Sequence, residues 1–302
     1  MIKVSHEMPL CLLKNGTEKK VNAYFYALVH LFEDHQDYYQ YTVDQIKEGR
    51  EVILDNSAYE LHGKPFDTEG FVKWIRKIGE DTNRASERRL VFVIPDEFDE
   101  MEATYQRAES FLEDYPDLPG KAMVVCQGKT IYELMLIFKK YSHLQGVRKI
   151  GINFMSLAYT DFVEKSRGPD IEQWLARSMG RKFFIEFLYH SGLLHGRVIH
   201  LLGSSLPDEF RYYTIEHPKL GDFIDSLDTS APIIHGMFSN SLYDSESKLF
   251  QKKSSEKLAE HLLDPVSVDQ LVRQIFSAPF CAAQFFILFL ISTHLFVFVV
   301  LL

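Results

Sequence analysis

The sequence predicts an α/β protein, and within that class a (β/α)8 barrel of the TIM type. Short runs of apolar, β-branched and aromatic residues alternate along the chain with longer segments of helical spacing. This alternation is typical of parallel strands joined by crossover helices. Nearly every apolar run also ends in polar or small residues. Parallel barrels build their sites from such residues, because the carboxyl ends of all the strands meet at one face.

Seven runs are predicted strands and an eighth is expected near residues 233–237, a number that favours a closed barrel over an open sheet. The seven runs cover residues 23–29, 52–54, 90–94, 122–126, 149–152, 198–202 and 223–227. Two apolar stripes of helical spacing lie between them, with a third helical segment at residues 171–194. The two stripes are Phe71, Trp74, Ile75 and Ile78, and Ile131, Leu134, Met135 and Phe138. We therefore assign residues 1–275 to one barrel domain.

Charge and cysteine content limit the classes of partner and cofactor. A formal net charge of -9 argues against a generally basic nucleic-acid-binding protein, although it is compatible with a local basic groove. The two basic clusters are Arg84, Arg88 and Arg89, and Lys165, Arg167, Arg177, Arg181 and Lys182. Each cluster on its own is explained as well by a solvated helix face. The three cysteines form no CxxC pair and no HExxH motif occurs, so we expect no metal and no cofactor.

The last residues differ sharply in composition from the rest. No charged residue follows Arg273, and residues 280–302 read FCAAQFFILFLISTHLFVFVVLL. A hydrophobic helix of this length is about what a bilayer requires, roughly 20 residues. Residues 276–302 are therefore interpreted either as a C-terminal membrane anchor or as a non-native end. The barrel itself is expected in the cytoplasm.

The polar motifs that follow the predicted strands carry the candidate chemistry. In chain order they are LDNSAYE, IPDEFDE, VCQGK, IGINF, LLGSS and DSLDTSAP. At the carboxyl face of a barrel these six endings would converge on one pocket. One acidic strand end is ordinary, whereas several together are hard to explain by solubility alone.

In this order the motifs resemble those of the tRNA-guanine transglycosylase superfamily. ILDNSAYE is similar to the family's DSGGFQ-type motif and places Asp55 in it, and VIPDEF matches an Asp-Glu pair through Asp96. VVCQGK is similar to the VQGG-type element and aligns Gln127 and Gly128. LLGSSLPDEF resembles the MGVGxPxD segment, in which Gly203 falls. These matches lie in the correct order along the chain.

The last match concerns the nucleophile. IDSLDTSAP is similar to the family's IDMFDCVxP segment and aligns Asp228 with the nucleophilic aspartate and Asp225 with the aspartate before it. Asp225 remains a rival nucleophile, because a shift of two or three positions along a strand changes which side chain faces the pocket.

Two departures from the family pattern concern the substrate. The zinc site of three cysteines and a histidine, usual in members that act on tRNA, has no counterpart here, and the glycine-rich elements are reduced to NSAYE and GINFMS. The chain looks more like the phage and bacterial members that insert 7-deazaguanine derivatives into DNA, and if a phage encodes it, the resemblance implies the host cytoplasm. The resemblance thus favours DNA as the nucleic-acid partner, with tRNA as the alternative.

The resemblance also implies a role for each residue. Asp228 would attack C1′ of the sugar, and Asp55 would protonate the departing guanine and deprotonate the incoming base. The base would be held by Asp96, which accepts from N1–H and the exocyclic amine, and by Gln127 and the N–H of Gly128, which donate to the C6 carbonyl. Asn153 and Gly203 are also expected to contact the substrate. Tyr59 or Phe98 would stack on the base.

Taken singly, the local patterns favour simpler interpretations. Asp55 could cap a turn, Asp96 could be the N-cap of a helix over residues 100–111, and Asp228 could be a turn aspartate. Only the ordered resemblance reverses this preference. Two other functions stay open: a different barrel hydrolase with a metal at Asp55 and Asp96, and a non-catalytic barrel tethered to a membrane.

Overall fold

The computed structural model describes residues 1–58, 66–169, 171–204, 207–230 and 233, together with two short strands, Tyr243–Asp244 and Leu249–Phe250. Eight parallel strands alternate with helices in a (β/α)8 barrel. The strands are β1 (Lys3–His6), β2 (Phe25–Leu28), β3 (Val52–Asp55), β4 (Leu90–Val93), β5 (Lys121–Cys126), β6 (Val147–Asn153), β7 (Ile199–Leu202) and β8 (Ile224–Thr229). The predicted fold class is confirmed.

The strands are hydrogen-bonded in the order β1-β8-β7-β6-β5-β4-β3-β2. The two strands at the ends of this order meet where the backbone N–H of Ala23 donates to the carbonyl of Val4 at 2.9 Å. The barrel is therefore nearly closed, and the carboxyl ends of all eight strands share one face.

Eleven helices lie along the described part of the chain. The longer ones are α3 (Gln36–Lys47), α4 (Thr68–Thr82), α6 (Met101–Asp114), α7 (Ile131–Tyr141), α8 (Leu157–Arg167) and α9 (Gln173–His190). The shorter ones are α1 (Leu10–Lys14), α2 (Thr17–Val21), α5 (Ser86–Arg89), α10 (Pro207–Arg211) and α11 (Pro218–Gly221), with a 3-10 turn at Val29–Leu31 and a π turn at Tyr212–Glu216. The predicted stripes on α4 and α7 lie against the strands, where Phe71, Ile75, Leu134 and Phe138 are buried.

The position predicted for the eighth strand is wrong. The seven apolar runs correspond to β2 through β8, but the eighth strand is β1 at the start of the chain, and the described Ile233 belongs to no strand. Residues 234–237 lie outside the described residues. Strand β1 has no apolar run because Lys3 and Ser5 alternate with Val4 on a strand of four residues. Its pairing with β8, not its composition, makes it a strand.

The structure corrects the prediction for one of the two basic clusters. Arg181 is not part of a basic surface, because it is fully buried in a bidentate ion pair with Glu209, at 2.6 Å for each hydrogen bond. The exposed cluster of Arg84, Arg88 and Arg89 precedes β4 and so lies at the amino-terminal end of the barrel.

The hydrophobic tail, residues 276–302, lies outside the described residues. Among the helices that are described, none has the length and apolar character needed to cross a bilayer.

Candidate active site at the carboxyl ends of the strands

Asp228 lies near the end of β8 with its side chain almost fully buried. The backbone N–H of Gly203 donates to both carboxylate oxygens, at 3.1 and 3.2 Å, and Nε2 of His200 lies 3.0 Å from Oδ1. Gly203 follows β7 in a left-handed conformation with φ of 63°, which turns its N–H towards the carboxylate. The local interpretation of Asp228 as a turn residue is therefore wrong. Gly203, which is expected at the substrate, donates its N–H to Asp228, and its contact with substrate stays a prediction.

Asp55 is the last residue of β3 and is half-buried. The hydroxyl of Tyr26 donates to Oδ1 and the backbone N–H of Ser57 donates to Oδ2, both at 2.8 Å. The second bond closes a turn over two residues, so the local interpretation of Asp55 as a turn cap is also correct. The turn leaves Asp55 at the carboxyl face of the barrel, as the resemblance implied.

Two aromatic rings connect Asp55 with Asp228. Tyr26 on β2 and His200 on β7 are buried in the barrel and stack nearly parallel, with ring centroids 6.1 Å apart and an interplanar angle of 12°. Tyr26 donates to one carboxylate and His200 contacts the other. Burial, reinforced by the charges of Asp55 and Asp228, raises the pKa of Tyr26 well above its ordinary value. Tyr26 therefore remains a protonated hydrogen-bond donor across the whole range of neutral pH.

Asp96 is a third carboxylate at this face and is bound by Asn56, the residue after Asp55. It follows β4 and accepts hydrogen bonds from Nδ2 of Asn56 at 3.0 Å and from Nε2 of Gln127 at 2.5 Å. Burial raises the pKa of Asp96, although the bonds from Gln127 and Asn56 oppose this effect. Helix α6 begins at Met101 with Glu100 as its N-cap, so the interpretation of Asp96 as the cap of that helix is wrong.

A hydrogen-bonded network sets the orientation of Gln127. Its Oε1 accepts from the backbone N–H of Asp99 at 3.2 Å and from Nδ2 of Asn153 at 2.8 Å, which turns its Nε2 towards Asp96. Asn153 is itself held, because its Oδ1 accepts from the backbone N–H of Ser156 at 2.9 Å. The Asn153 amide thus contacts Gln127 and Ser156 and fixes the orientation of Gln127, while the expected contact of Asn153 with substrate stays a prediction.

Gly128 follows Gln127 at a close approach of the backbone to α7. A Cβ at this position would lie 2.8 Å from the Cβ of Glu133, closer than side chains tolerate. The carbonyl of Gly128 accepts from the hydroxyl of Ser156 at 3.2 Å. Glycine is required here because it lets the chain pass α7 directly after the Gln127 side chain.

Asp225 lies at the other end of the barrel. Its carboxylate is bound by the ammonium groups of Lys3 at 2.9 Å and Lys149 at 2.8 Å, and Lys149 also binds Glu51 at 2.7 Å. Lys3 starts β1 and Glu51 precedes β3, which places this cluster at the amino-terminal ends of the strands. Asp225 therefore lies at the opposite end of the strands from Asp55 and Asp96, which argues against it as the nucleophile.

The two candidate stacking residues differ in what can be said of them. Phe98 is 44% exposed in the loop between Asp96 and Asp99, and its stacking on a base stays a prediction. Tyr59 lies outside the described residues. Within those residues, no group of three His, Cys, Asp or Glu side chains is arranged to hold a metal ion.

Sequence reasoning missed Tyr26, Asn56 and His200. Tyr26 and His200 stand inside the apolar runs that become β2 and β7, FYAL and IHLL. The available signal was the alternation of side chains along a strand, in which every second residue faces the barrel interior. A polar side chain at such an inward position is a candidate site residue. Comparison of the chain with protein-family models and with curated proteins finds no match.

Proposed function

We propose that this barrel is a pentosyltransferase that replaces guanine in nucleic acid, DNA in preference to tRNA, by a 7-deazaguanine base. One observation carries the proposal. Asp228, Asp55 and Asp96 converge at the carboxyl face, the first two joined through the stacked rings of His200 and Tyr26 and the third held by Gln127. A TIM barrel alone serves many chemistries, so the assignment depends on these side chains.

Asp228 has the surroundings that a nucleophile for a sugar carbon needs. Base exchange passes through a cation-like sugar, for which a pair of carboxylates is an established solution in retaining glycosidases. One Asp228 oxygen would form a bond to C1′ while the bond from C1′ to N9 of guanine breaks. The hydrogen bonds from Gly203 and His200 orient the carboxylate without placing a neighbouring cation on it.

Asp55 is assigned the proton transfers. It would give a proton to the departing guanine and then remove the N9 proton from the incoming base, whose N9 attacks C1′ and releases Asp228. The hydroxyl of Tyr26 and the N–H of Ser57 hold the two Asp55 oxygens in fixed directions, so the proton is transferred at a defined place.

Asp96 is assigned the recognition of the base. Its ionised carboxylate can accept from N1–H and the exocyclic amine of guanine or a 7-deazaguanine, and adenine offers no matching pair of donors. Asn56 and Gln127 hold the carboxylate in place from two sides. The target base has to leave its stack to reach Asp96, and unstacking costs a few kcal/mol.

The barrel would act in the cytoplasm, and tethering through residues 276–302 remains part of the proposal.

The decisive experiment is base exchange by the purified full-length chain. Radiolabelled guanine is offered with duplex DNA and, separately, with tRNA, and incorporation into polymer is measured for the native chain, Asp228→Asn and Asp225→Asn. The proposal expects label in DNA with the native chain and with Asp225→Asn, and none with Asp228→Asn. Label in tRNA alone would keep the reaction and change the substrate. Equal incorporation by native chain and Asp228→Asn, or none in either polymer from a folded native chain, would contradict the proposal.

A further inference from the structure

A continuous polar chain runs inside the barrel from its amino-terminal end to Asp228. Nζ of Lys149 donates to Oγ of Ser226 at 3.3 Å, Oγ of Ser226 lies 2.9 Å from Nδ1 of His200, and Nε2 of His200 lies 3.0 Å from Oδ1 of Asp228. All four side chains are buried. The chain therefore links the ion cluster at one end of the barrel to the proposed nucleophile at the other.

The direction of these hydrogen bonds follows from the chemistry of the two ends. Lys149 contacts the carboxylates of Glu51 and Asp225 at 2.7 and 2.8 Å, and its ammonium group can only donate. Ser226 accepts from that group, which leaves its own hydrogen to donate to Nδ1 of His200. A neutral imidazole that accepts at Nδ1 carries its hydrogen on Nε2, where it donates to Asp228.

The groups that face His200 favour this neutral form. Burial lowers the pKa of His200; Asp228 and Asp225 oppose that effect, and Lys149 adds to it. The ring also lies beside Tyr26, stacked at 12°, and Tyr24, edge-on at 79°, each with ring centroids 6.1 Å away. His200 thus gives Asp228 a directed hydrogen bond without a positive charge.

We propose that Lys149 and Ser226 are positioning residues that impose on His200 the tautomer whose Nε2–H points at Asp228. The role of that tautomer in catalysis rests on the proposed function, in which Asp228 attacks the sugar. The tautomer itself is a property of the resting protein and can be measured without substrate.

The first test removes the influence of Asp228 and asks whether the other end of the chain still sets the tautomer. In 15N-labelled full-length protein, the ring nitrogens of His200 are assigned by comparison with His200→Gln. We expect the Nε2–H form in the native chain and in Asp228→Asn, and a mixture of tautomers in Asp228→Asn with Ser226→Ala. An Nδ1–H form in the native chain, or no response of Asp228→Asn to Ser226→Ala, would overturn the proposal.

The second test uses activity and a matched control. Ser5 on β1 pairs in register with Asp228, is fully buried, and its Oγ has no hydrogen-bond partner among the described residues. Ser226→Ala should lower kcat about tenfold and leave KM for the base within about twofold, because it removes the group that orients the His200 ring towards Asp228 and leaves the base-binding side chains intact. Ser5→Ala removes the same atom and should change none of these. Equal behaviour of the two variants would refute the positioning role, and the NMR result stands even if no exchange is found.

Discussion

Asp225 and Asp228 belong to the same strand, three positions apart, yet their partners carry different charges. Asp225 is bound by two ammonium groups, those of Lys3 and Lys149. Asp228 is held by the N–H of Gly203 and by the ring of His200, which burial keeps neutral. About 10 Å of strand therefore separates a carboxylate paired with two cations from one held by neutral hydrogen-bond partners.

The carboxylates at the two ends of the barrel have different kinds of hydrogen-bond partner. Burial alone would raise the pKa of Asp225, but Lys149 and Lys3 outweigh that effect and lower the pKa to about 2. The carboxylates at the other end contact hydroxyl, amide, imidazole and backbone N–H groups. Fixed neutral dipoles orient a carboxylate without cancelling its charge, which suits the proposed role of Asp228 at a cation-like sugar.

The sharpest way to break this comparison is to neutralise each aspartate in turn. Asp228→Asn should lower the rate of base exchange by about 10³-fold or more, since an amide cannot form the ester with C1′. Asp225→Asn should lower it by no more than about tenfold. Exchange rates with labelled guanine measure both, and circular dichroism checks that both variants fold. A greater loss from Asp225→Asn than from Asp228→Asn would reverse the two roles.

The sequence contained the fold but not this division of roles. Seven strands were predictable because each is an apolar run that can be seen in the sequence itself. Strand β1 was not, because Lys3 and Ser5 flank its Val4 and leave no apolar run, and its pairing with β8 makes it a strand. The choice between Asp225 and Asp228 depends on which partners distant strands bring. Lys149 and His200 approach β8 from β6 and β7, and no local pattern records that.

Asp96 offers a second test at the functional end, with a smaller expected effect. Asp96→Asn should weaken guanine binding by about 10²-fold, because the amide presents a donor where the base also donates. Since burial raises the pKa of Asp96, binding to the native chain should weaken on acidification at a higher pH than an ordinary aspartate would produce. Calorimetric titration with guanine across a pH series measures both effects. Binding to Asp96→Asn that is as tight as to the native chain would remove Asp96 from base recognition.

Acid stability should separate the two ends again. Asp225 has a folded-state pKa of about 2 and an ordinary value of 3.8, so its contribution is present above 3.8 and is lost as the pH falls towards 2. With partial exposure taken into account, this contribution is about 1–2 kcal/mol. Asp96, whose pKa is raised, acts in the opposite sense and favours folding more once it is protonated.

The measurement is urea unfolding between neutral pH and pH 3. The free energy of unfolding of Asp225→Asn should fall less steeply with acidification than that of the native chain, and that of Asp96→Asn should fall more steeply. Parallel curves for all three proteins would show that neither carboxyl is coupled to folding as its surroundings indicate.

The smallest effect is expected where the backbone, not a side chain, holds the proposed nucleophile. Gly203 has a φ of 63°, and an added Cβ would have room, since its nearest described neighbour is the Cβ of Phe154 at 3.8 Å. Gly203→Ala should therefore cost only about 1–2 kcal/mol of conformational strain. Part of that strain would be relieved by turning the N–H away from Asp228, which should lower kcat about tenfold with KM unchanged. Gly16, between α1 and α2, is left-handed with a φ of 76° and has nothing within 4 Å of the added atom, so Gly16→Ala is the matched control. If Gly203→Ala loses stability as Gly16→Ala does but keeps full activity, the N–H of Gly203 is dispensable, and His200 alone sets the direction of the Asp228 carboxylate.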